Sequence, residues 1–434
     1  MEVQIISKET VKPSSSTPQH LRTYNLSLLD QLAPPVYIPI ILFYSATGEI
    51  SCKKSHLLKT SFSETLTHFY PFAGRMKDCF SIDCNDEGAP YVEAHVAGDM
   101  STILQEPDIH QLEKLLPCNP HDVSPEVSSQ VIVAAQVNYF DCGGMAVSVC
   151  IWHAIADASA VASFLTSWAA IARGATDEIE GVIFDCTSLF PPQDMRSFSL
   201  HNFLKEDLLS KIMLKRFLFD SSKLADLREE VGNGPCLERP TRVEAVAALI
   251  WGAVMAADGE ENQNETAEIN AATISVGLRK RMIPPLPKLS IGNAYQVAMA
   301  NFSKKEKQLN YNGLAGKLHE SIGKMNNDYV RKIHAGGGYF QFLRTKGEEL
   351  GKNPNLMKVF GFSSWCRFPF YEADFGWGKP NWVGTALTLY KVAILIDTKD
   401  GQGIEAWVSL PKEDMVKFEQ NPGICAYASF KLST

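Results

Sequence analysis

No stretch of the sequence is apolar over a length that could cross a membrane. The longest apolar run, 34–44, falls well short of the roughly 20 residues that a transmembrane helix requires. The first residues, MEVQIISKET, include acids and lack the apolar core of a signal peptide. We therefore expect a cytoplasmic protein that has no membrane partner.

Blocks of positive charge are missing as well. The chain has 41 Lys+Arg against 49 Asp+Glu, which gives a formal net charge of −8. Because binding to phosphate groups needs clustered cations, this balance argues against a nucleic-acid partner or an anionic membrane surface.

Paired cysteine spacings are also absent. The chain has 10 cysteines, but none of them forms a Cys-x-x-Cys pair, and Cys150 and Cys366 lie in apolar stretches. Disulfide frameworks and zinc sites usually show recurrent spacings. The sequence therefore predicts reduced, buried thiols and no resident metal.

Several catalytic motifs do not occur. The sequence has no Gly-x-x-x-x-Gly-Lys-Ser/Thr phosphate loop, no Gly-x-Gly-x-x-Gly, no His-Glu-x-x-His and no Gly-x-Ser-x-Gly elbow. The glycine run 336–338 precedes no strand–helix unit and is typical of a flexible loop. Metal-assisted hydrolysis and seryl-enzyme chemistry are therefore not expected.

The sequence has the composition of a globular protein, with 45% hydrophobic and 21% charged residues. At about 150 residues per domain, 434 residues suggest two or three domains. Strand-like and helix-like segments alternate, and the Pro-rich stretch after Phe190 interrupts them. We predict a mixed α/β protein with a first lobe over 1–190, a crossover linker over 191–215 and a second lobe over 216–434.

Hydrophobic spacing predicts the individual elements. In the first half it indicates a strand over 36–44, a helix over 53–69, and a hairpin of strands 131–140 and 145–152 followed by a helix that ends near Arg173. In the second half it indicates these elements: a helix from the capping box at 241–244, strands over 274–278 and 293–299, a helix over 314–333, and a strand pair or triplet over 382–397 and 404–410.

Two histidines have an aspartate four residues later, and their contexts differ. His95 lies on an alternating, half-polar strand before a turn, which is typical of a surface residue. His153 ends an apolar run directly before a helix, at a strand end where a cleft can open. From the residues alone, His153 is also compatible with a core histidine bonded to backbone, and Asp157 with a helix N-cap.

Two motifs in sequence order carry a resemblance. The segment 153–157, HAIAD, and the segment 374–378, DFGWG, resemble the two signatures of the plant BAHD acyltransferases. Segments similar to that family run along nearly the whole chain: 26–31, 70–75, 190–192, 278–281, 284–287, 292–293 and 363–365. Three further segments are most similar to its alkaloid and terpenoid O-acetyltransferase branch: 67–70, 83–86 and 364–367.

The resemblance implies a fold and a reaction. It implies two chloramphenicol-acetyltransferase-like lobes, each a mixed β-sheet flanked by helices, with a channel between them and a late segment around 368–392 packed back onto the first lobe. It also implies a monomer that binds no cofactor permanently. Acetyl-CoA is the co-substrate, a small-molecule alcohol is the acceptor, and the two meet at His153.

The resemblance also implies residue roles. His153 is the general base, since a neutral imidazole can accept the proton of an alcohol, and a thioester needs no acyl-enzyme. Asp374 is placed with it as catalytic, although in most members this aspartate is structural. Supporting and coenzyme A-binding roles fall on the following residues: Asp157 paired with Arg279, then Gly376 and Trp377 as supports, and Arg242, Arg281 and Ser364 for coenzyme A.

Two other functions remain open at this point. A non-catalytic BAHD-like binding or scaffold protein would commonly lose the histidine or the second motif, and both are intact here. A condensation domain of peptide synthesis shares the fold, but the chain lacks a doubled histidine and a glycine after Asp157. The sequence does not distinguish an alkaloid from a terpenoid acceptor, or an alcohol from an amine.

Overall fold

The computed structural model describes the chain except for residues 47, 49–50, 180, 196–209, 260–268, 304–309, 353–356 and 430–434. The chain divides into two compact units. The first comprises Met1–Phe203, Pro287–Ala294 and Phe368–Leu387, and the second comprises Leu204–Leu286, Tyr295–Arg367 and Thr388–Thr434. Each unit is therefore built from separate stretches of sequence.

The strands of the described chain are β1 (Glu2–Val11), β2 (Thr23–Asn25), β3 (Tyr37–Tyr44), β4 (Arg75–Met76), β5 (Ser81–Asp83), β6 (Ala89–Ala97), β7 (Val133–Phe140), β8 (Met145–Trp152), β9 (Ile212–Phe219), β10 (Ile269–Gly277), β11 (Tyr295–Ser303), β12 (Met357–Ser364), β13 (Trp382–Gly384), β14 (Val392–Asp397) and β15 (Ile404–Pro411).

The α-helices among the described residues are α1 (Leu28–Gln31), α2 (Ser51–His68), α3 (Met100–Gln105), α4 (Ile109–Glu113), α5 (Ala158–Ala172), α6 (Cys186–Leu189), α7 (Ser221–Gly232), α8 (Arg242–Gly259), α9 (Tyr311–Gly323), α10 (Asn327–His334), α11 (Gly338–Lys352), α12 (Lys412–Glu419) and α13 (Pro422–Tyr427).

The first unit contains a six-stranded mixed sheet in the order β1-β6-β7-β8-β3-β13, in which only β6 and β7 run parallel. The central strands β3 and β8 are buried along their whole length. Helices α2 and α5 pack together in this unit, where the Trp168 ring lies 4.8 Å from the Phe62 ring and its Nε1 donates to Ser61 Oγ. This packing fixes α5 directly after the end of β8.

The second unit contains another six-stranded mixed sheet, in the order β11-β10-β12-β14-β15-β9, with parallel pairing at β10–β12 and β12–β14. Helix α8 is apolar nearly all round, and its buried residues join those of the sheet in one hydrophobic cluster. The prediction of two mixed sheets flanked by helices is confirmed. A small antiparallel sheet, β2-β5-β4, completes the described strands.

Two predicted elements of the second half differ in extent from the observed ones, and the glycine run has a different structure. The strand predicted over 293–299 begins at Tyr295, because Asn293 and Ala294 donate their N–H groups to side chains of the first unit. The helix predicted over 314–333 is two helices, since Asn326 caps a new one by accepting from Tyr329 N. The glycine run 336–338, predicted as a flexible loop, is instead divided between the 3₁₀ turn Ala335–Gly337 and the first residue of α11.

The late strands and the linker also differ from the prediction. The three strands of the predicted triplet are present, but they lie in two sheets: Trp382–Gly384 pairs with β3 in the first unit, whereas Val392–Asp397 pairs with β12 and β15 in the second. Residues 212–215 of the predicted linker belong to β9, which pairs with β15. Most of the remaining linker, 196–209, lies outside the described residues.

Among the helices described above, none is long and apolar enough to span a bilayer.

Candidate active site

His153 follows β8 directly, and its backbone is held on both sides. Its N–H donates to the carbonyl of Val36 at 2.9 Å, and its carbonyl accepts from Asn293 Nδ2 at 2.7 Å. The side chain is half-buried. A rigid strand end therefore presents the imidazole, as expected for a group that must meet a substrate in one geometry.

Burial lowers the pKa of His153 below its usual value, because the charged imidazolium is poorly solvated there. The carbonyl of His153 itself, the Asp157 carboxylate and the Asn293 side chain oppose this shift, but the pKa stays lowered. A lowered pKa favours the neutral imidazole near pH 7. A neutral imidazole is the form that can accept a proton.

Asp157 lies at the end of the turn that follows His153, and its carboxylate binds two backbone N–H groups. Its Oδ1 accepts from Ala160 N at 2.9 Å, which makes it the N-cap of α5, and its Oδ2 accepts from Ala294 N at 3.0 Å. The N-cap reading of the sequence is therefore correct. Arg279 belongs to the second unit, and its pairing with Asp157 stays a prediction.

Sequence reasoning assigned no role to Asp30 and Asn293, although both lie in segments that carried the resemblance. The Asp30 side chain is only 1% exposed, and its Oδ1 accepts from Asn293 N at 2.7 Å and Asn293 Nδ2 at 2.9 Å. The only local signal was the spacing Ser27-x-x-Asp30, a capping box that begins α1. Nothing local indicates the partner 263 positions away.

The DFGWG segment forms a closed turn around the Asp374 carboxylate. Asp374 Oδ1 accepts from Gly376 N at 2.8 Å and from Gly378 N at 2.9 Å, while its carbonyl accepts from Arg173. Gly376 and Gly378 have φ of 107° and 103°, a conformation that glycine adopts without strain. The observed contacts of Asp374 are thus structural, and a catalytic role for it stays a prediction.

Aromatic packing anchors this turn in the first unit. Phe375 is fully buried, stacks on Trp377 with ring centroids 5.6 Å apart, and meets the edge of Trp168 on α5 at 5.1 Å. The Tyr44 hydroxyl donates to the carbonyl of Ala373 at 2.7 Å. Lys54 Nζ lies 5.3 Å from the centre of the Trp377 ring, a cation–π distance. The turn therefore supports α5, the helix that Asp157 caps.

The residues predicted to contact coenzyme A lie in the second unit, and two of them have structural contacts there. Arg242 pairs with Asp397 at 2.9 Å and donates to the carbonyl of Gly401. Arg281 donates to the carbonyls of Ile322 and Met325, near the end of α9. Ser364 ends β12. A contact of these three residues with coenzyme A stays a prediction.

The second His–Asp pair of the sequence is not a pair in the structure. His95 Nε2 lies 2.8 Å from Asp141 Oδ1 at an exposed position, whereas Asp99 caps α3 by accepting from Ser101 N.

In the described part of the chain no cluster of His, Cys, Asp and Glu could hold a metal ion. The thiols are less buried than predicted, because four of them are exposed: Cys79, Cys142, Cys236 and Cys425.

Comparison with known proteins places the chain in a family. The model of the family described as the Transferase family matches residues 1–424. The chain is 49% identical to epi-neemfruitin B synthase of Melia azedarach over 439 residues, and 46% identical to limonoid 1-O-acetyltransferase of Citrus sinensis over 448 residues, with 100% of each chain covered. It is 32% identical to vinorine synthase, whose crystal structure it matches with a TM-score of 0.84 over 99% of both chains. The chain therefore belongs to the Transferase family, the BAHD acyltransferases.

Proposed function

We propose that the protein transfers the acetyl group of acetyl-CoA to a hydroxyl group of a limonoid-type alcohol, with His153 as the general base. The observation that carries this proposal is the position of His153 at the end of a buried strand, with its backbone held by Val36 and Asn293, in a chain that keeps both family motifs. The full-length similarity to a limonoid 1-O-acetyltransferase supports the reaction class.

The reaction proceeds by direct transfer. His153 takes the hydroxyl proton as the acceptor oxygen forms a bond to the thioester carbonyl carbon. The C–S bond then breaks, and the imidazolium returns the proton to the coenzyme A sulfur. A thioester is already activated, so no acyl-enzyme is required. Initial velocities with both substrates varied should give intersecting double-reciprocal lines; parallel lines, or protein acetylated by the donor alone, would contradict direct transfer.

The acceptor is a limonoid rather than an alkaloid. The motifs resemble a branch that contains both kinds of enzyme, but identity to the limonoid enzyme is 46% and identity to vinorine synthase is 32%. Purified protein should be incubated with a set of acyl-CoA donors and of limonoid and alkaloid alcohols, and the products identified by mass spectrometry. Acetylation of alkaloids alone would overturn the acceptor, and a preference for coumaroyl-CoA of about a hundredfold would overturn the donor.

We further propose that the protein acts as a monomer in the cytosol. The described cysteines, Cys52 aside, are free thiols, as is usual in a reducing compartment. Gel filtration with light scattering should give the mass of one chain of 48.0 kDa. A particle of twice that mass would contradict the proposed monomer.

A further inference from the structure

We propose that Asn293 is a positioning residue for His153, and that the buried carboxylate of Asp30 holds Asn293 in place. This inference rests on the proposed role of His153 as the general base. The network lies within the first unit and joins three distant parts of the sequence: α1 with its cap, the turn after β8, and residues 287–294.

The amide group of Asn293 has two N–H bonds, and both are used. One donates to Asp30 Oδ1 at 2.9 Å, and the other donates to the carbonyl of His153 at 2.7 Å. The backbone N–H of Asn293 also donates to Asp30 Oδ1, at 2.7 Å. The Asp30 carboxylate therefore fixes Asn293 at its backbone N and at its side-chain Nδ2. With these two atoms held, the second N–H of Nδ2 is directed at the carbonyl of His153.

Asp30 is itself held from the opposite side. Its Oδ2 accepts from Ser27 N at 2.9 Å and from Ser27 Oγ at 2.7 Å. Burial raises the pKa of Asp30, while the donors on Asn293 and Ser27 favour its charged form. A carboxylate that is 1% exposed and accepts four hydrogen bonds is a rigid anchor, since releasing it would leave a buried charge without partners.

Ala294, the next residue, holds the other end of the turn that follows His153. Ala294 N donates to Asp157 Oδ2 at 3.0 Å, while Asp157 Oδ1 caps α5. The dipeptide 293–294 therefore contacts the segment 153–157 at both of its ends. A displacement of this dipeptide would move the imidazole relative to both substrates, and a misplacement of about 1 Å can cost about 100-fold in rate.

Substitution of Asn293 should therefore affect the chemical step more than substrate binding. Asn293→Ala should lower kcat by about 10- to 100-fold, with the KM for acetyl-CoA within about threefold of the wild-type value. Asp30→Asn keeps the shape of the side chain and weakens the anchor, so it should lower kcat by a smaller factor. Because both residues act through one hydrogen bond, the double variant should lose little more than Asn293→Ala alone.

Asn138 provides a matched control within the same unit. It is fully buried, and its Nδ2 donates to the carbonyls of Leu115 and Ala146. Ala146 lies about 20 Å along β8 from the strand end that carries His153. Asn138→Ala should therefore lower the melting temperature while kcat per folded molecule stays within about twofold of wild type.

The experiment measures kcat, KM and the melting temperature of the four variants and the wild type with acetyl-CoA and a limonoid alcohol. The positioning role would be overturned if Asn293→Ala kept the wild-type kcat. It would also be overturned if the fold-losses in kcat of the two single variants multiplied in the double variant. If Asn293→Ala does not fold, Asp30→Asn provides the test. A wild-type kcat in an Asp30→Asn protein of wild-type stability would likewise overturn the positioning role. A wild-type protein that turns over no acyl-CoA would instead refute the proposed function.

Discussion

At the scale of single residues, we expect Asp157 to organise the site rather than to relay a proton, because it makes two structural contacts. Its side chain is 7% exposed and accepts from Ala160 N and Ala294 N. Asp157→Ala removes a helix cap and leaves a backbone N–H without its acceptor, so we expect a loss of about 2–4 kcal/mol in unfolding free energy together with a lower rate. Urea unfolding followed by fluorescence measures the loss.

Asp220 offers the control for this substitution. It caps α7 in the second unit by accepting from Lys223 N at 3.0 Å. Asp220→Ala should therefore cost only the cap, about 1 kcal/mol, and leave the rate of folded protein unchanged. An Asp157→Ala protein as stable as wild type that has lost only its rate would indicate a relay.

The pH dependence of the reaction follows from the lowered pKa of His153. The general base must be neutral, and protonation removes activity as the pH falls through its pKa. Because burial holds that pKa below the usual 6.5, kcat/KM should rise with pH and reach half of its plateau below pH 6.5. A pH profile of kcat/KM with its midpoint above pH 7 would be inconsistent with this environment.

At the scale of elements, the turn before Asn293 depends on one glycine. Gly292 has φ of 122°, and a Cβ at this position would lie 2.7 Å from Cys186 Sγ. Gly292→Ala should therefore cost about 2–4 kcal/mol from strain and overpacking, and lower kcat because Asn293 shifts. Thermal unfolding and steady-state kinetics measure the two effects.

Gly98 separates the strain from the packing. It has a similar φ of 111°, but a Cβ there would meet nothing within 4 Å. Gly98→Ala should show the backbone strain alone, about 1–2 kcal/mol, without a change in kcat. Equal losses of unfolding free energy in Gly292→Ala and Gly98→Ala would mean that the contact with Cys186 does not constrain the turn.

Local patterns predicted the elements around His153 but not their partners. The apolar run of β8 and the helical spacing of α5 were sufficient to place His153 between a buried strand and a helix. The segment 293–299 also looked like a strand, yet its first two residues pair with the carboxylates of Asp30 and Asp157 instead. Hydrophobic periodicity carries no information on such contacts, because they depend on tertiary placement.

At the scale of the whole molecule, the fold class followed from the alternation of strands and helices and from the family motifs. The interruption of the second unit by 287–294 and 368–387 does not follow from local composition. Only the resemblance indicated that a late segment returns to the first lobe. The structure supports a proposal in which residues from two of the three stretches of the first unit, 1–203 and 287–294, position one histidine.

The kcat of His153→Ala tests the central claim most directly. It should be measured with acetyl-CoA and a limonoid alcohol at saturating concentrations, beside a His95→Ala control whose exposed side chain contacts Asp141. Loss of the general base should lower kcat by about 10²- to 10⁴-fold, while His95→Ala should stay within about twofold of wild type. A folded His153→Ala protein with kcat within about tenfold of wild type would contradict the account.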